Sequence, residues 1–127
     1  MSPYSEKVLD HFEHPRNVGE LPDADAEARV ENPVCGDIMT LTVKVSDGRI
    51  CQARFRTRGC VASIAVGSCL TEMIEGKTVT EAQTIKREQL LAELDGLPRA
   101  SIHATHLAMD ALAAVLERVA KPDRPAK

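Results

Sequence analysis

The chain of 127 residues carries 19 acidic and 16 basic side chains, a formal net charge of −3, with one Tyr, two Phe and no Trp. This balance argues against nucleic-acid binding, because phosphates attract basic surfaces and single-stranded bases stack on aromatic rings. No apolar run approaches the roughly 20 residues of a membrane-spanning helix, and the polar start lacks the apolar segment of a secretory signal. We therefore expect a cytoplasmic protein without membrane segments, folded as one domain over residues 1–127.

The first half of the chain predicts one helix followed by strands. Ser2-Pro3 is typical of a helix start, apolar residues recur at helical spacing over 4–12, and Pro15 ends the run. Apolar and polar residues then alternate over 39–46 and again after the hairpin turn Asp47-Gly48. A shorter strand is predicted over 27–32.

The second half of the chain predicts helices. The pattern becomes helical after Gly59, and Gly76 is typical of a helix C-terminus. Thr78 and Glu81 have the spacing of a capping box for the next helix. A short helix over 87–95 and a last helix over about 101–120 follow, and the polar tail 121–127 should be mobile.

Three residues or motifs that could carry chemistry fall where a loop meets a regular element. Cys35-Gly36-Asp37 precedes a strand, and the glycine lets the backbone turn so that a thiolate and a carboxylate can point to one place. Cys60 and His103 both stand at expected helix starts, where the partial positive charge favours a thiolate and a neutral imidazole. Each alone is a weak signal for a metal ligand, since a small buried cysteine or a surface histidine is the common alternative.

The other two cysteines lack this setting. Cys51 alternates with Ala53 and Phe55 on the apolar side of a strand, and Cys69 lies on the apolar stripe of a helix. We expect both to pack in the core. Three arginines alternate along the same strand and are expected to form a solvated sheet face, with a docking patch as the alternative: Arg54, Arg56 and Arg58.

From residue 4 to about residue 120 the chain resembles the U-type iron–sulfur cluster scaffolds, which comprise IscU and the N-terminal domain of NifU. The resemblance rests on segments in one order: YSEKVLDHFEHPRNVG at 4–19, CGD at 35–37, ARFRTRGC at 53–60, TEMIEGKTVTEAQTIK at 71–86 and LPRASIHA at 97–104. It implies an α+β fold, with a small, about three-stranded antiparallel sheet packed against several helices. It also implies a carrier, not an enzyme, although Cys60 could accept a persulfide.

The resemblance further implies a ligand set. The family's motifs match Cys35, Asp37, Cys60 and His103, which would hold a [2Fe–2S] cluster or iron, with zinc as the expected occupant of the purified protein. Where the family has its third cysteine, a cluster ligand and sulfur acceptor, this chain has Ala104. His106, three residues after His103, could compensate, or it could be an ordinary helix residue.

The implied partners are a cysteine desulfurase, which supplies sulfur, and apo iron–sulfur acceptor proteins. The family's chaperone-recognition loop reads Leu-Pro-Pro-Val-Lys, whereas this chain has LPRAS at 97–101, which puts chaperone-assisted release in doubt.

Three hypotheses for the function follow. The chain could build and transfer clusters, it could bind zinc or iron to regulate the desulfurase or store metal, or it could be a metal-free interaction module.

Overall fold

The structure is a computed structural model that describes residues 3–33 and 36–120. Within these ranges it contains a three-stranded sheet, five α-helices and one 3₁₀ helix. In chain order the elements are α1 (Glu6–Glu13), β1 (Ala26–Glu31), β2 (Ile38–Ser46), β3 (Arg49–Arg58), α2 (Val61–Ile74), α3 (Val79–Gln83), α4 (Arg87–Glu93), the 3₁₀ helix (Arg99–Ser101) and α5 (His103–Ala120). The predicted α+β class and three-stranded sheet are confirmed. The tail 121–127 and Cys35 lie outside the described residues.

The sheet is antiparallel in the order β1-β2-β3, and side chains of one of its faces belong to the hydrophobic core. Alternate residues of β2, namely Met39, Leu41 and Val43, are completely buried because that face is covered by helices. Helix α2 packs on β3, α5 packs on β1 and β2, and α1 packs on α2. Among the described residues, no helix has both the length and the apolar character needed to cross a membrane.

Helix α2 lies at the centre of the domain. Ten of its 14 residues are buried, and this burial on most sides matches its apolar sequence. The ring of Phe55 lies directly on Gly67, where an added Cβ would stand only 2.5 Å from Cδ2 of the ring. Because Gly67 has no Cβ, helix α2 can approach β3 closely at this point.

Most predicted element boundaries are confirmed. Thr78 and Glu81 form the predicted capping box, with hydrogen bonds of 3.0 and 2.9 Å, and Gly76 follows α2 with a φ of 89°. Helix α1, however, begins at Glu6 rather than after Ser2-Pro3. Its cap is Ser5, whose Oγ accepts a hydrogen bond of 3.1 Å from Val8 N.

The prediction that Cys51 packs in the core is wrong. Lys44 pairs with Gln52 but Val45 pairs with Ile50, so Cys51 is the extra residue of a β-bulge. The bulge breaks the alternation of β3, which turns Ile50 inward and leaves Cys51 exposed. The prediction for Cys69 is confirmed, since its side chain is 3% exposed in the core.

The outer face of the sheet is a solvated, partly ion-paired surface. Arg54 Nη1 lies 3.2 Å from Glu75 Oε2, and Arg56 Nη1 lies 3.6 Å from Glu20 Oε2. These pairs favour the predicted solvated face over the docking patch, because Arg54 and Arg56 already have carboxylate partners within the chain.

Gly67→Ala should destabilise the protein. Overpacking a core typically lowers the free energy of unfolding by about 1–3 kcal/mol. This loss outweighs the roughly 1 kcal/mol by which alanine stabilises a helix relative to glycine. Urea denaturation of Gly67→Ala, Phe55→Leu and the double variant measures the effect. The double variant should lose less free energy of unfolding than the two single variants together. A Gly67→Ala protein that is more stable than the parent would contradict this packing.

The two cysteines should differ in reactivity. Burial raises the pKa of the Cys69 thiol to about 12, so both burial and the scarcity of thiolate protect it. In variants that retain only Cys51 or only Cys69, an aromatic disulfide reagent at pH 8 should label Cys51 rapidly. It should label Cys69 only as fast as the protein unfolds. Equal labelling rates for Cys51 and Cys69 would contradict the bulge that exposes Cys51.

Candidate metal centre

Three potential metal ligands from separate elements meet at one end of the sheet. Asp37 directly precedes β2, Cys60 is the N-cap of α2, and His103 is the first residue of α5. Their ligand atoms all lie within 4.8 Å of one another. Asp37 Oδ2 is 3.7 Å from both His103 Nε2 and Cys60 Sγ. The fourth predicted ligand, Cys35, is outside the described residues.

The pairing of β2 with β3 brings two of these residues together. Ile38, the first residue of β2, is registered with Arg58, the last residue of β3. The residue before β2, Asp37, therefore faces the segment after β3, Gly59-Cys60. A Cβ on Gly59 would lie 2.7 Å from Asp37 Cγ, so the glycine provides the space that the carboxylate fills.

The Asp37 carboxylate is held by several donors. Ser63 Oγ donates to Oδ2 at 2.6 Å, and the Cys60 backbone N–H also donates to the carboxylate. Burial by itself raises the pKa of Asp37. The hydrogen bonds from Ser63 and Cys60 outweigh it and bring the pKa below its usual value, and a protonated His103 would lower the pKa further. The carboxyl group is thus ionised at neutral pH, as a metal ligand must be.

The His103 ring is oriented for ligation. Its Nδ1 lies 3.1 Å from the carbonyl oxygen of Ala100, which can only accept a hydrogen bond. The contact therefore requires the proton on Nδ1, and in the neutral ring this leaves the lone pair on Nε2, the nitrogen that faces Asp37. Metal-bound histidines are commonly fixed in this way by a second hydrogen bond.

The residues after His103 do not add a ligand to this group. Ala104, where the resemblance places the family's third cysteine, is completely buried in the core. His106 is exposed, and among the described residues the metal-compatible group contains only Asp37, Cys60 and His103. Compensation by His106 thus finds no support.

One functional candidate was missed by sequence reasoning. Ser63 is completely buried in the first turn of α2, yet its hydroxyl contacts the site. The available signal was a serine three residues after Cys60, a helix position whose side chain reaches back toward the N-terminal end.

The described group offers one thiolate, one carboxylate and one imidazole. Zinc accepts all three ligand types in a tetrahedral arrangement with one further position, and iron accepts the same donors. The centre is also accessible, since Cys60 is exposed and the His103 side chain is 33% exposed.

Gly59→Ala should impair metal binding more than folding. The added methyl group would displace the end of a flexible side chain, so the carboxylate of Asp37 should move while the backbone stays. We expect weaker Co²⁺ binding, measured by absorption titration, with a modest fall in the melting temperature because the displaced carboxylate also loses hydrogen bonds from Ser63 and the Cys60 N–H. Unchanged Co²⁺ affinity would contradict the close approach of Gly59 and Asp37.

Comparison with known proteins supports the predicted family. The family model of the NifU-like N-terminal domain matches residues 3–123. The chain is 52% identical over 109 residues to the iron–sulfur cluster assembly scaffold protein IscU 1 of Archaeoglobus fulgidus, a match covering 86% of this chain and 71% of the relative. It is 47% identical over 117 residues to IscU of Escherichia coli, covering 89% and 91% respectively.

Solved structures show the same fold. A NifU-like N-terminal protein from Brucella abortus has a TM-score of 0.76 at 21% identity, covering 94% of this chain and 95% of that one. A putative iron–sulfur cluster assembly scaffold protein for the SUF system from Fervidobacterium islandicum has a TM-score of 0.72 at 22% identity, covering 89% and 96%. The curated relatives are named as scaffold proteins rather than enzymes, in line with the prediction. The chain therefore belongs to the NifU-like N-terminal domain family, together with the IscU scaffold proteins.

Proposed function

We propose that this protein is a scaffold that assembles a [2Fe–2S] cluster and passes it to acceptor proteins. The observation that carries the proposal is the convergence of Asp37, Cys60 and His103, from three separate elements, in a chain about half identical to IscU scaffolds. We assign Cys35 as the fourth ligand because it stands two residues before Asp37 in the CGD motif.

The donor set suits a labile cluster. A [2Fe–2S] cluster takes four protein ligands, and histidine replaces cysteine in Rieske-type centres. Two thiolates, one imidazole and one carboxylate complete this number without a third cysteine. A carboxylate oxygen is a harder ligand than a thiolate and binds the iron of a cluster less firmly, which suits a carrier that must release its cargo.

Sulfur would arrive through a partner. Cys60 is exposed, so its thiolate can attack the terminal sulfur of a persulfide on a cysteine desulfurase. The new S–S bond forms on Cys60, and the bond in the partner's persulfide breaks, releasing the desulfurase thiolate. Apo iron–sulfur proteins would then receive the cluster, and we place this exchange in the cytoplasm, where thiols stay reduced.

A second candidate is a zinc- or iron-binding variant that no longer builds clusters. It is favoured by Ala104, which removes the family's third cysteine. The remaining ligands also suit a tetrahedral zinc ion. Such a protein would regulate the desulfurase or store metal.

Anaerobic reconstitution tests the scaffold proposal. With iron, sulfide and reductant, the protein should develop thiolate-to-iron absorption bands and contain about two iron and two sulfide per chain. The Cys60→Ala variant should retain little of the iron and the sulfide. Cys51→Ala is the matched control, because it removes an exposed thiol near the other end of β3, and it should retain the cluster.

The cluster-loaded protein should then transfer its cluster to an apo-ferredoxin, and circular dichroism monitors this transfer. One zinc per chain, with no iron or sulfide taken up under any of these conditions, would overturn the scaffold proposal in favour of the second candidate.

A further inference from the structure

Ser63 has the features of a group built to serve the metal centre. Its side chain is completely buried, and its backbone N–H is already satisfied by the Cys60 carbonyl oxygen at 3.1 Å. The hydroxyl donates to Asp37 Oδ2 at 2.6 Å, a length typical of a charge-assisted hydrogen bond. A buried donor bonded to a side chain 26 residues away fixes where that side chain stands.

The oxygen that Ser63 holds is the one that faces the other ligands. Asp37 Oδ2 is 3.7 Å from Cys60 Sγ and 3.7 Å from His103 Nε2. A carboxylate oxygen has two lone pairs, so it can accept the hydroxyl proton with one and bind a metal ion with the other. The hydrogen bond therefore sets the direction of the remaining lone pair.

A purely structural role must be distinguished from this one. Cys60, the N-cap of α2, makes no side-chain capping hydrogen bond, and the Asp37 carboxylate accepts the Cys60 N–H in its place. Loss of Ser63 could thus weaken the helix start without any direct effect on metal binding. A positioning role predicts that the effect of Ser63→Ala on metal affinity depends on Asp37, whereas a purely structural role predicts the same effect with or without Asp37.

We propose that Ser63 is a positioning residue that orients Asp37 for metal binding and so sets the affinity of the centre. This inference rests on the proposed function, since it takes Asp37 as a ligand. Removal of a hydrogen bond to a ligating group typically lowers metal affinity about 10- to 100-fold. We expect a loss in that range for Ser63→Ala.

The test is a double-mutant cycle with Co²⁺ titration by absorption and Zn²⁺ affinity by chelator competition. The variants are Ser63→Ala, Asp37→Ala and their combination. Ser68→Ala is the matched control, because Ser68 is equally buried in α2 but bonds His11 Nδ1 at 2.7 Å and Arg16 N at 2.9 Å, away from the centre. Thermal unfolding of every variant reports the structural cost.

If the proposal holds, Ser63→Ala loses about 10- to 100-fold in affinity and its Co²⁺ spectrum shifts, whereas Ser68→Ala binds like the parent. In the Asp37→Ala background, Ser63→Ala should have a much smaller effect, limited to the loss of the 3.6 Å contact between Ser63 Oγ and Cys60 Sγ. An equal loss in both backgrounds, or none in either, would overturn the role of Ser63 and leave the proposed function intact. A parent protein that binds neither metal would overturn the proposed function and this inference together.

Discussion

The candidate centre depends first on the register between β2 and β3. Because Ile38 pairs with Arg58, the loop before β2 and the start of α2 meet at the same end of the sheet. A slip of one residue would turn the buried side of β2 outward, so the apolar residues that fix the core also fix the place of Asp37. The core and the centre are thus specified by one pairing.

The carboxylate of Asp37 links this pairing to the helices. It accepts hydrogen bonds from Cys60 and Ser63 at the start of α2, and it lies beside His103 at the start of α5. A single side chain therefore connects a strand and two helix starts. Binding of a metal ion would add to these contacts, and it would stabilise the folded chain by mass action.

The sequence predicted the sheet and the central helix because each leaves a local signal, whereas the candidate ligand set was implied by the family resemblance and had only its position at loop ends as a local signal. Alternation marks β2 and β3, and the glycines next to Asp37 and Cys60 mark turns. Cys51 was misplaced because a bulge has no sequence signal in a strand that otherwise alternates. Ser63 was missed because its partner, Asp37, is distant in the chain, and only the folded register brings the two together.

Pulsed electron paramagnetic resonance of the reduced cluster tests the central claim most directly. A cluster bound by His103 should show strong hyperfine coupling to the coordinating imidazole nitrogen, and this strong coupling should disappear in His103→Ala. It should persist in His106→Ala, since His106 is exposed three residues further along α5. A cluster without strong nitrogen coupling, or one whose strong coupling depends on His106, would contradict the proposed ligand set.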